Sequence, residues 1–244
     1  MISLERRGGR PLRIAHRGAS ALAPENTLDA FRAALAVGVD LVEFDVVALE
    51  TGELVVAHSF AEIVPETPTL DEALRFFVDE APDVGVHLDL KLTERERDVV
   101  EAVRRHDLAR RCFVSSFYLG TARAIAAHDG DMRTGITVPR SILGISEHGP
   151  GAPVARAGLW ALRLVTPPLI RPLLAATRAT AVVVHHTIVT SACVRAAHAR
   201  GAAVVAWTVD EPDELARVAE TGVDAVVSND PRIFVSEFVS TLEM

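Results

Sequence analysis

The chain has few of the features that would cross-link it or place it across a membrane. Its 244 residues include only two cysteines, Cys112 and Cys193, which stand far apart and form no metal-binding cluster. A framework of disulfides is therefore not expected, and a cytoplasmic location is predicted because thiols stay reduced there. No apolar run of signal-peptide length follows the arginine-rich start. The longest apolar candidate, residues 154–176, is interrupted by three arginines and three prolines, which argues against a membrane-spanning helix.

Positive charge and several common functional motifs are also scarce. The 25 lysines and arginines are outnumbered by 33 aspartates and glutamates, which gives a net charge of -8. This balance disfavours sequence-independent binding to nucleic acid, which relies on clustered positive charge. No G-x-G-x-x-G segment opens a predicted helix, and the motifs H-E-x-x-H and G-x-S-x-G are missing. The sequence therefore favours neither a dinucleotide-binding enzyme, a zinc peptidase nor a serine hydrolase.

What the chain does contain is a regular alternation of apolar, β-branched runs with amphipathic stretches. Eight strands and eight helices over about 250 residues are typical of a (β/α)8 or TIM barrel, predicted here as a single domain over residues 1–244. A doubly wound sheet also alternates, but its nucleotide-binding form has no motif in this chain. The predicted strands are Leu12–His16, Leu41–Val46, Val84–Leu90, Cys112–Ser115, Thr134–Val138, Ala181–Val184, Ala203–Thr208 and Ala225–Val227. The predicted helices are Thr27–Val37, Leu70–Val78, Glu94–His106, Leu119–His128, Arg156–Thr177 (broken by prolines), Ser191–Arg200, Asp213–Glu220 and Pro231–Thr241.

Helix ends are marked by residues with the expected conformational preferences. Asn26 is predicted to cap the amino terminus of the first helix. Gly38, Gly201 and Gly222 each follow a helical run, where a left-handed residue is expected to end the helix.

Polar residues at the ends of the first two strands predict a site that holds a cation and an anion. His16 ends the first strand and Arg17 follows it, at the barrel end where reactive residues lie. Glu43 and Asp45 are separated by one residue, so their side chains point to the same face of the second strand. Two carboxylates facing one cavity repel each other unless a cation lies between them, and oxygen ligands suit Mg2+ or Ca2+.

The third predicted strand repeats this arrangement. His87, Asp89 and Lys91 alternate with apolar residues and therefore share one face of the strand. Burying three such groups is costly unless they are paired or bind a ligand. Asp89 is thus a candidate metal ligand and Lys91 a candidate phosphate ligand, with a purely structural ion pair as the alternative. Lys91 is also the only lysine of the chain, which indicates either a need for a compact ammonium group or chance.

Two further residues are candidates because of their positions. His58 follows the short apolar run 54–57, and together with His16 it is a candidate acid or base, although a lone histidine is more often structural. Trp207 ends the seventh strand and is predicted to form an aromatic wall for the substrate, with a partly buried rim tryptophan as the alternative.

These motifs, taken in order, resemble those of glycerophosphodiester phosphodiesterases. The most specific are His16-Arg17-Gly18 with Pro24-Glu25-Asn26-Thr27, followed by Glu43-x-Asp45 and by Leu54-Val55-Val56-Ala57-His58. The later segments 67–74, 87–91, 206–210 and 222–231 agree in order, so the resemblance covers nearly the whole chain.

The resemblance implies a TIM barrel of the phospholipase-C-like phosphodiesterase type and a divalent cation, Mg2+ or Ca2+. It implies hydrolysis of a small-molecule glycerophosphodiester to sn-glycerol 3-phosphate and an alcohol. By position it assigns metal ligation to Glu43, Asp45 and Asp89, acid–base catalysis to His16 and His58, and phosphate binding to Arg17 and Lys91.

The chain departs from the family pattern in three places. Asp89 stands where glutamate is usual, Ser59 replaces the usual aspartate, and the insertion after His58 is shortened to residues 60–66. Two alternatives to this enzyme stay open. One is a lysophospholipase-D-like enzyme acting on lipid, with residues 159–174 touching a bilayer peripherally rather than covering the barrel. The other is a barrel that binds a phosphoester without cleaving it.

Overall fold

The structure, a computed structural model, describes residues 2–139 and 152–235, except for the side chains of 152–157 and 159. The strands are β1 (Leu12–Ala15), β2 (Leu41–Ala48), β3 (Leu54–Val56), β4 (Gly85–Leu90), β5 (Cys112–Ser116), β6 (Arg133–Val138), β7 (Ala181–His185), β8 (Ala203–Trp207) and β9 (Ala225–Ser228). The helices are α1 (Leu28–Val37), α2 (Leu70–Asp79), α3 (Glu96–Arg105), α4 (Leu119–His128), α5 (Ala152–Thr177), α6 (Ser191–His198) and α7 (Pro212–Glu220).

Eight of these strands run parallel and close into a barrel, which confirms the predicted TIM barrel. The order around the barrel is β1, β2, β4, β5, β6, β7, β8 and β9, and β9 pairs back with β1. The closure joins Ile14 of β1 to Leu41 on one side and to Val227 on the other. Because every barrel strand is parallel, all their carboxyl ends meet at one rim, where a site can form.

A ninth strand, β3, differs from the prediction. It runs antiparallel to the end of β2, with Val46 opposite Val56 and Ala48 opposite Leu54. β2 is therefore two residues longer than expected, and the β2–β3 hairpin stands at the rim. Three residues are too few for a clear alternation of apolar and polar side chains, so the sequence alone did not indicate this strand.

The prediction that the helix at residues 156–177 would be broken is wrong. α5 is continuous over 26 residues although it contains Pro167, Pro168 and Pro172. Each proline removes one backbone donor, but this stretch is mostly exposed, so water can satisfy the carbonyl groups that lose their partners.

The first helix begins one residue later than predicted. Thr27, not Asn26, caps α1, and its side-chain oxygen accepts a hydrogen bond from the Ala30 backbone N–H. The predicted helix at 231–241 lies mostly outside the described residues, of which 233–235 are helical. Gly38, Gly201 and Gly222 have the predicted left-handed conformation, with φ of 86°, 66° and 91°.

Within the described part of the chain, no helix is both long and apolar enough to cross a membrane.

The core has an inner and an outer part, as expected for this architecture. Inside the barrel, Leu12, Ile14 and Phe113 are buried among side chains from the neighbouring strands. Between the strands and α1 and α2 lies an aromatic cluster, in which the Phe31 ring centroid is 5.0 Å from that of Phe44 and 5.5 Å from that of Phe77.

We predict that Phe31→Ala lowers the free energy of unfolding by about 3–5 kcal/mol, because it removes a fully buried ring and leaves a cavity. Phe60→Ala is the matched control, since that ring is 65% exposed, and a change within about 0.5 kcal/mol is expected. Urea unfolding of both variants measures the difference. Equal losses of stability would contradict this description of the core.

Candidate active site

The predicted site residues meet at one cavity on the rim formed by the carboxyl ends of the strands. The cavity has a volume of about 270 Å³. Asp45 lies just behind its wall, 1% exposed, and forms ion pairs with two of the lining residues. The other predicted site residues all line the cavity: His16, Arg17, Glu43, His58, Asp89, Lys91 and Trp207.

Hydrogen bonds to Ser228 and Asn229, at the end of β9, hold His16 in one orientation. Its backbone N–H donates to the Ser228 carbonyl at 2.8 Å, which continues the strand pairing by one residue. Its Nδ1 lies 2.6 Å from Asn229 Oδ1, which also accepts from Ser20 Oγ at 2.9 Å. Asn229 Nδ2 donates to Asp210 Oδ2 at 2.7 Å. Since the amide nitrogen faces Asp210, the oxygen faces His16, and His16 Nδ1 is the donor.

Arg17 occupies a strained turn that points its backbone toward the carboxylates. Its φ is +51°, and its backbone N–H donates to Glu43 Oε2 at 2.8 Å. Gly18 follows with φ of +78°, and a Cβ there would lie 2.5 Å from that of Ala30, so only glycine fits. The guanidinium then reaches Glu25 with Nη1 at 2.9 Å and Asp45 with Nε at 3.0 Å.

Three buried carboxylates form the centre of the site. Glu43, Asp45 and Asp89 each offer an oxygen, and these atoms all lie within 4.8 Å of one another. Register explains the convergence, because Asp45 on β2 pairs directly with Asp89 on β4. Lys91 contacts both aspartates: its Nζ lies 3.0 Å from Asp45 Oδ1 and is hydrogen-bonded to Asp89 Oδ2.

The pKa values of these groups follow from their burial and their neighbours. Burial, together with the charges of Asp45 and Asp89, raises the pKa of Glu43 well above its usual value. Burial would also raise the pKa of Asp45, but the cations Lys91 and Arg17 outweigh it, and the pKa is lowered. Burial would lower the pKa of Lys91, but the two aspartates raise it. Two cations thus face three carboxylates, and Glu43 is the least compensated.

A divalent cation fits this donor set. The ligands are hard oxygen atoms, which Mg2+ and Ca2+ prefer. Lys91 Nζ lies 3.0 Å from Asp45 Oδ1 but is poorly aligned for a hydrogen bond, so this buried oxygen has no hydrogen-bond donor among the described residues. An acceptor left in that state is costly, and a bound cation would remove the cost. Glu43, Asp45 and Asp89 are the residues that would hold the ion.

Neutral residues behind the carboxylates hold two of them in place. Asn26 donates from Nδ2 to Asp45 Oδ2 at 3.1 Å, and its Oδ1 accepts from the Asp45 backbone N–H at 3.1 Å. Ser115 Oγ donates to Asp89 Oδ1 at 2.6 Å and lies 2.9 Å from His87 Nε2. Burial lowers the pKa of His87 to about 3, so this ring is neutral. His87 was thus correctly grouped with Asp89, but it supports the site from below.

His58 and Trp207 lie on different sides of the cavity. The β2–β3 hairpin carries His58, whose side chain is 40% exposed and whose Nδ1 lies 3.5 Å from Glu62 Oε1. Trp207, at the end of β8, forms edge-to-face contacts with Phe117 and His185, at centroid distances of 5.8 and 5.2 Å. Trp207 and Phe117 together form an aromatic side of the cavity, and the contact of Trp207 with substrate stays a prediction.

Several supporting residues were not identified from the sequence. Asn26 was expected to be a helix cap, and Asn229, Asp210 and Ser115 were given no role. One signal was available, because the chain contains only two asparagines, and both lie in this site. Asp210 and Asn229 are 19 positions apart, and only the pairing of β8 with β9 brings their ends together.

Comparison with known proteins agrees with this geometry. The model of the glycerophosphoryl diester phosphodiesterase family matches residues 16–73 and 60–233. A glycerophosphodiester phosphodiesterase of Caldanaerobacter subterraneus subsp. tengcongensis is 24% identical over 91% of this chain and 96% of its own. One from Arabidopsis thaliana is 27% identical over 92% of this chain and 72% of its own.

A solved structure shares the fold. The phosphodiesterase of Oleispira antarctica, in complex with the product sn-glycerol-3-phosphate, superposes with a TM-score of 0.69 at 23% identity, over 93% of this chain and 96% of that one. The family match spans most of the chain and includes the cavity residues described above. The chain therefore belongs to the glycerophosphoryl diester phosphodiesterase family and is an enzyme of that class.

Proposed function

We propose that the protein hydrolyses glycerophosphodiesters to sn-glycerol 3-phosphate and an alcohol, and that it depends on Mg2+ or Ca2+. The observation that carries this proposal is the meeting of His16, the two cations Arg17 and Lys91, and the carboxylate cluster in one cavity. The Oleispira antarctica enzyme, which has this fold, is described with that product, and this supports the choice of substrate class.

The positive groups of the site serve to bind the phosphodiester. Arg17 and Lys91 line the cavity beside the carboxylates, and each carries donors beyond those used by its ion pairs. They are suited to neutralise charge that builds up on the phosphoryl oxygens in the transition state. When bound, the divalent cation would polarise the same oxygens as a Lewis acid.

The hydrogen bonds around His16 suggest its role. Because Nδ1 donates to Asn229, the neutral ring keeps its lone pair on Nε2, which lies 3.9 Å from Glu43 Oε2. This nitrogen can accept a proton from the nucleophile, either water or the neighbouring hydroxyl of the substrate. We assign His16 as the general base and Asn229 as the residue that positions it.

His58 is then the general acid. It lines the same cavity from the β2–β3 hairpin, next to Glu62. In that position it can donate a proton to the oxygen of the departing alcohol. The segment 60–66 after His58 is short and mostly exposed, and we expect this side of the cavity to accommodate alcohols of different sizes.

Removal of divalent cations should strongly lower activity. With glycerophosphocholine as substrate, we expect a chelator to reduce the release of glycerol 3-phosphate at least roughly tenfold, and added Mg2+ or Ca2+ to restore it. Unchanged release would contradict metal dependence. No release under any condition would favour a barrel that binds phosphoesters without cleaving them, and a cyclic phosphate product would identify the substrate hydroxyl as the nucleophile.

His16→Ala and His58→Ala should each lower kcat by roughly 100-fold or more, because each removes a proton-transfer group. His128→Ala, at the exposed end of α4, is the matched control and should retain wild-type kcat. Steady-state kinetics at saturating metal provide the measurement, with circular dichroism to verify folding. Near-wild-type kcat in either site variant would remove that histidine from the mechanism.

Asn229→Ala should reduce kcat roughly 10- to 100-fold and change KM less, since it acts by orienting His16 rather than by contacting substrate. Ser20→Ala is its control, because Asp210 still orients the Asn229 amide when the Ser20 hydroxyl is removed. Little loss is expected there. A large change in KM with unaltered kcat in Asn229→Ala would instead indicate a substrate-binding role.

A further inference from the structure

The segment that follows His58 is short, but contacts at its ends and in its middle hold it against the barrel. The Val56 backbone N–H donates to the Pro68 carbonyl at 2.8 Å, which joins the residues on either side of the segment. Ile63, in its middle, packs against a small buried cluster that includes Val55. The residues around His58 therefore belong to a closed loop that is anchored to the β2–β3 hairpin.

A single turn of 3-10 helix within this loop brings a carboxylate back toward His58. The turn covers Phe60–Glu62, and the Glu62 backbone N–H donates to the Ser59 carbonyl at 3.2 Å. Residues three positions apart lie above one another in a turn of this kind. The side chain of Glu62 is thereby placed beside Ser59 and His58.

Three groups converge on the Glu62 carboxylate. The His58 backbone N–H donates to Oε2 at 3.2 Å, and the Ser59 hydroxyl donates to Oε1 at 3.0 Å. His58 Nδ1 lies 3.5 Å from the same Oε1. Partial burial would raise the pKa of Glu62, but the hydrogen bond from Ser59 and the contacts with His58 lower it, so this group is a carboxylate ion. Within the described ranges, no other acidic side chain forms an ion pair with His58.

We infer that Glu62 is the positioning residue of the general acid His58, an inference that rests on the function proposed above. The carboxylate holds a proton on Nδ1, so a second proton on Nε2 makes the ring an imidazolium, whose charge Glu62 balances. The oxygen of the nucleophile bonds to phosphorus, and its proton passes to His16. The electron pair of the breaking P–O bond stays on the alcohol oxygen, which takes the Nε2 proton and leaves His58 neutral.

The two histidines of the site differ in the partner of Nδ1, and the difference matches their roles. For His16 the partner is the neutral side-chain amide of Asn229, at 2.6 Å, whereas for His58 it is the charged Glu62. A neutral acceptor suits a ring that must begin the reaction without its second proton. A negative acceptor suits a ring that must begin the reaction with it.

Two substrates that share the glycerophosphate half and differ in the leaving group test this role. Choline leaves only when its oxygen is protonated, whereas p-nitrophenolate is stable enough to leave without a proton. With glycerophosphocholine, Glu62→Gln should lower kcat roughly tenfold with little change in KM, because glutamine keeps the shape but offers one acceptor oxygen instead of two. With glycerophospho-p-nitrophenol, the loss in kcat should be less than about twofold.

A double variant shows whether Glu62 acts through His58. Added to His58→Ala, Glu62→Gln should lower kcat by less than about twofold further, because the group that it positions is gone. Ser59→Ala removes one hydrogen bond and keeps the charge, so it should lose less kcat than Glu62→Gln. Glu53→Gln is the matched control and should retain wild-type kcat, since this exposed residue of the β2–β3 hairpin does not line the cavity. Circular dichroism verifies that each variant is folded.

The outcomes separate the role of Glu62 from the proposed function. If the wild type cleaves neither substrate, or if His58→Ala loses kcat equally on both, the assignment of the general acid fails and the role of Glu62 fails with it. Suppose instead that His58→Ala loses kcat mainly on glycerophosphocholine. Glu62→Gln would then overturn its own role alone by keeping wild-type kcat, by losing kcat equally on both substrates as a purely structural residue would, or by adding its full effect to that of His58→Ala.

Discussion

The site depends on the repulsion between three carboxylates that the barrel forces together. Glu43 and Asp45 share one face of β2, and the parallel register with β4 adds Asp89 to the same space, within 4.8 Å. Charges this close cannot all remain ionised inside a protein unless cations compensate them. Arg17 and Lys91 supply part of that compensation. Burial and the nearby charges of Asp45 and Asp89 still raise the pKa of Glu43. A divalent cation would complete the charge balance, so the proposed metal site and the capacity to bind a phosphate have one origin.

Neutral hydrogen-bonding groups make this charged cluster tolerable. The Asn26 side chain fixes Asp45 by hydrogen bonds to the carboxylate and to the backbone N–H of Asp45. Ser115 fixes Asp89. On the other side, the Asp210–Asn229 pair sets which nitrogen of His16 carries the proton. Asn26, Ser115 and Asn229 orient these side chains through hydrogen bonds and add no net charge. Asp210 is charged, but it contacts Asn229 and does not line the cavity.

The cavity is also divided chemically. Charged groups from β1, β2 and β4 form one wall, and Phe117, Val183, Trp207 and Val227 form much of the other. A phosphate with an organic substituent is matched to such a division, since the charged wall binds the phosphate and the apolar wall contacts the substituent. Phe117 and Thr137 also line an adjacent groove, which is bordered by the apolar Leu119, Ile136 and Leu173.

The sequence by itself determined the fold class and the chemical identity of the site. The alternation of strands and helices predicted the barrel, and the period of two in β2 and β4 placed the carboxylates and Lys91 on inward faces, because these are properties of local backbone geometry. The roles of Asn229, Asp210 and Asn26 were decided by tertiary structure, because they require contacts between residues that lie 19 to 213 positions apart in the chain. The tertiary structure also decided that α5 is continuous. Local rules predict a break at its prolines, and the outcome depended on solvent exposure, which only the folded barrel defines.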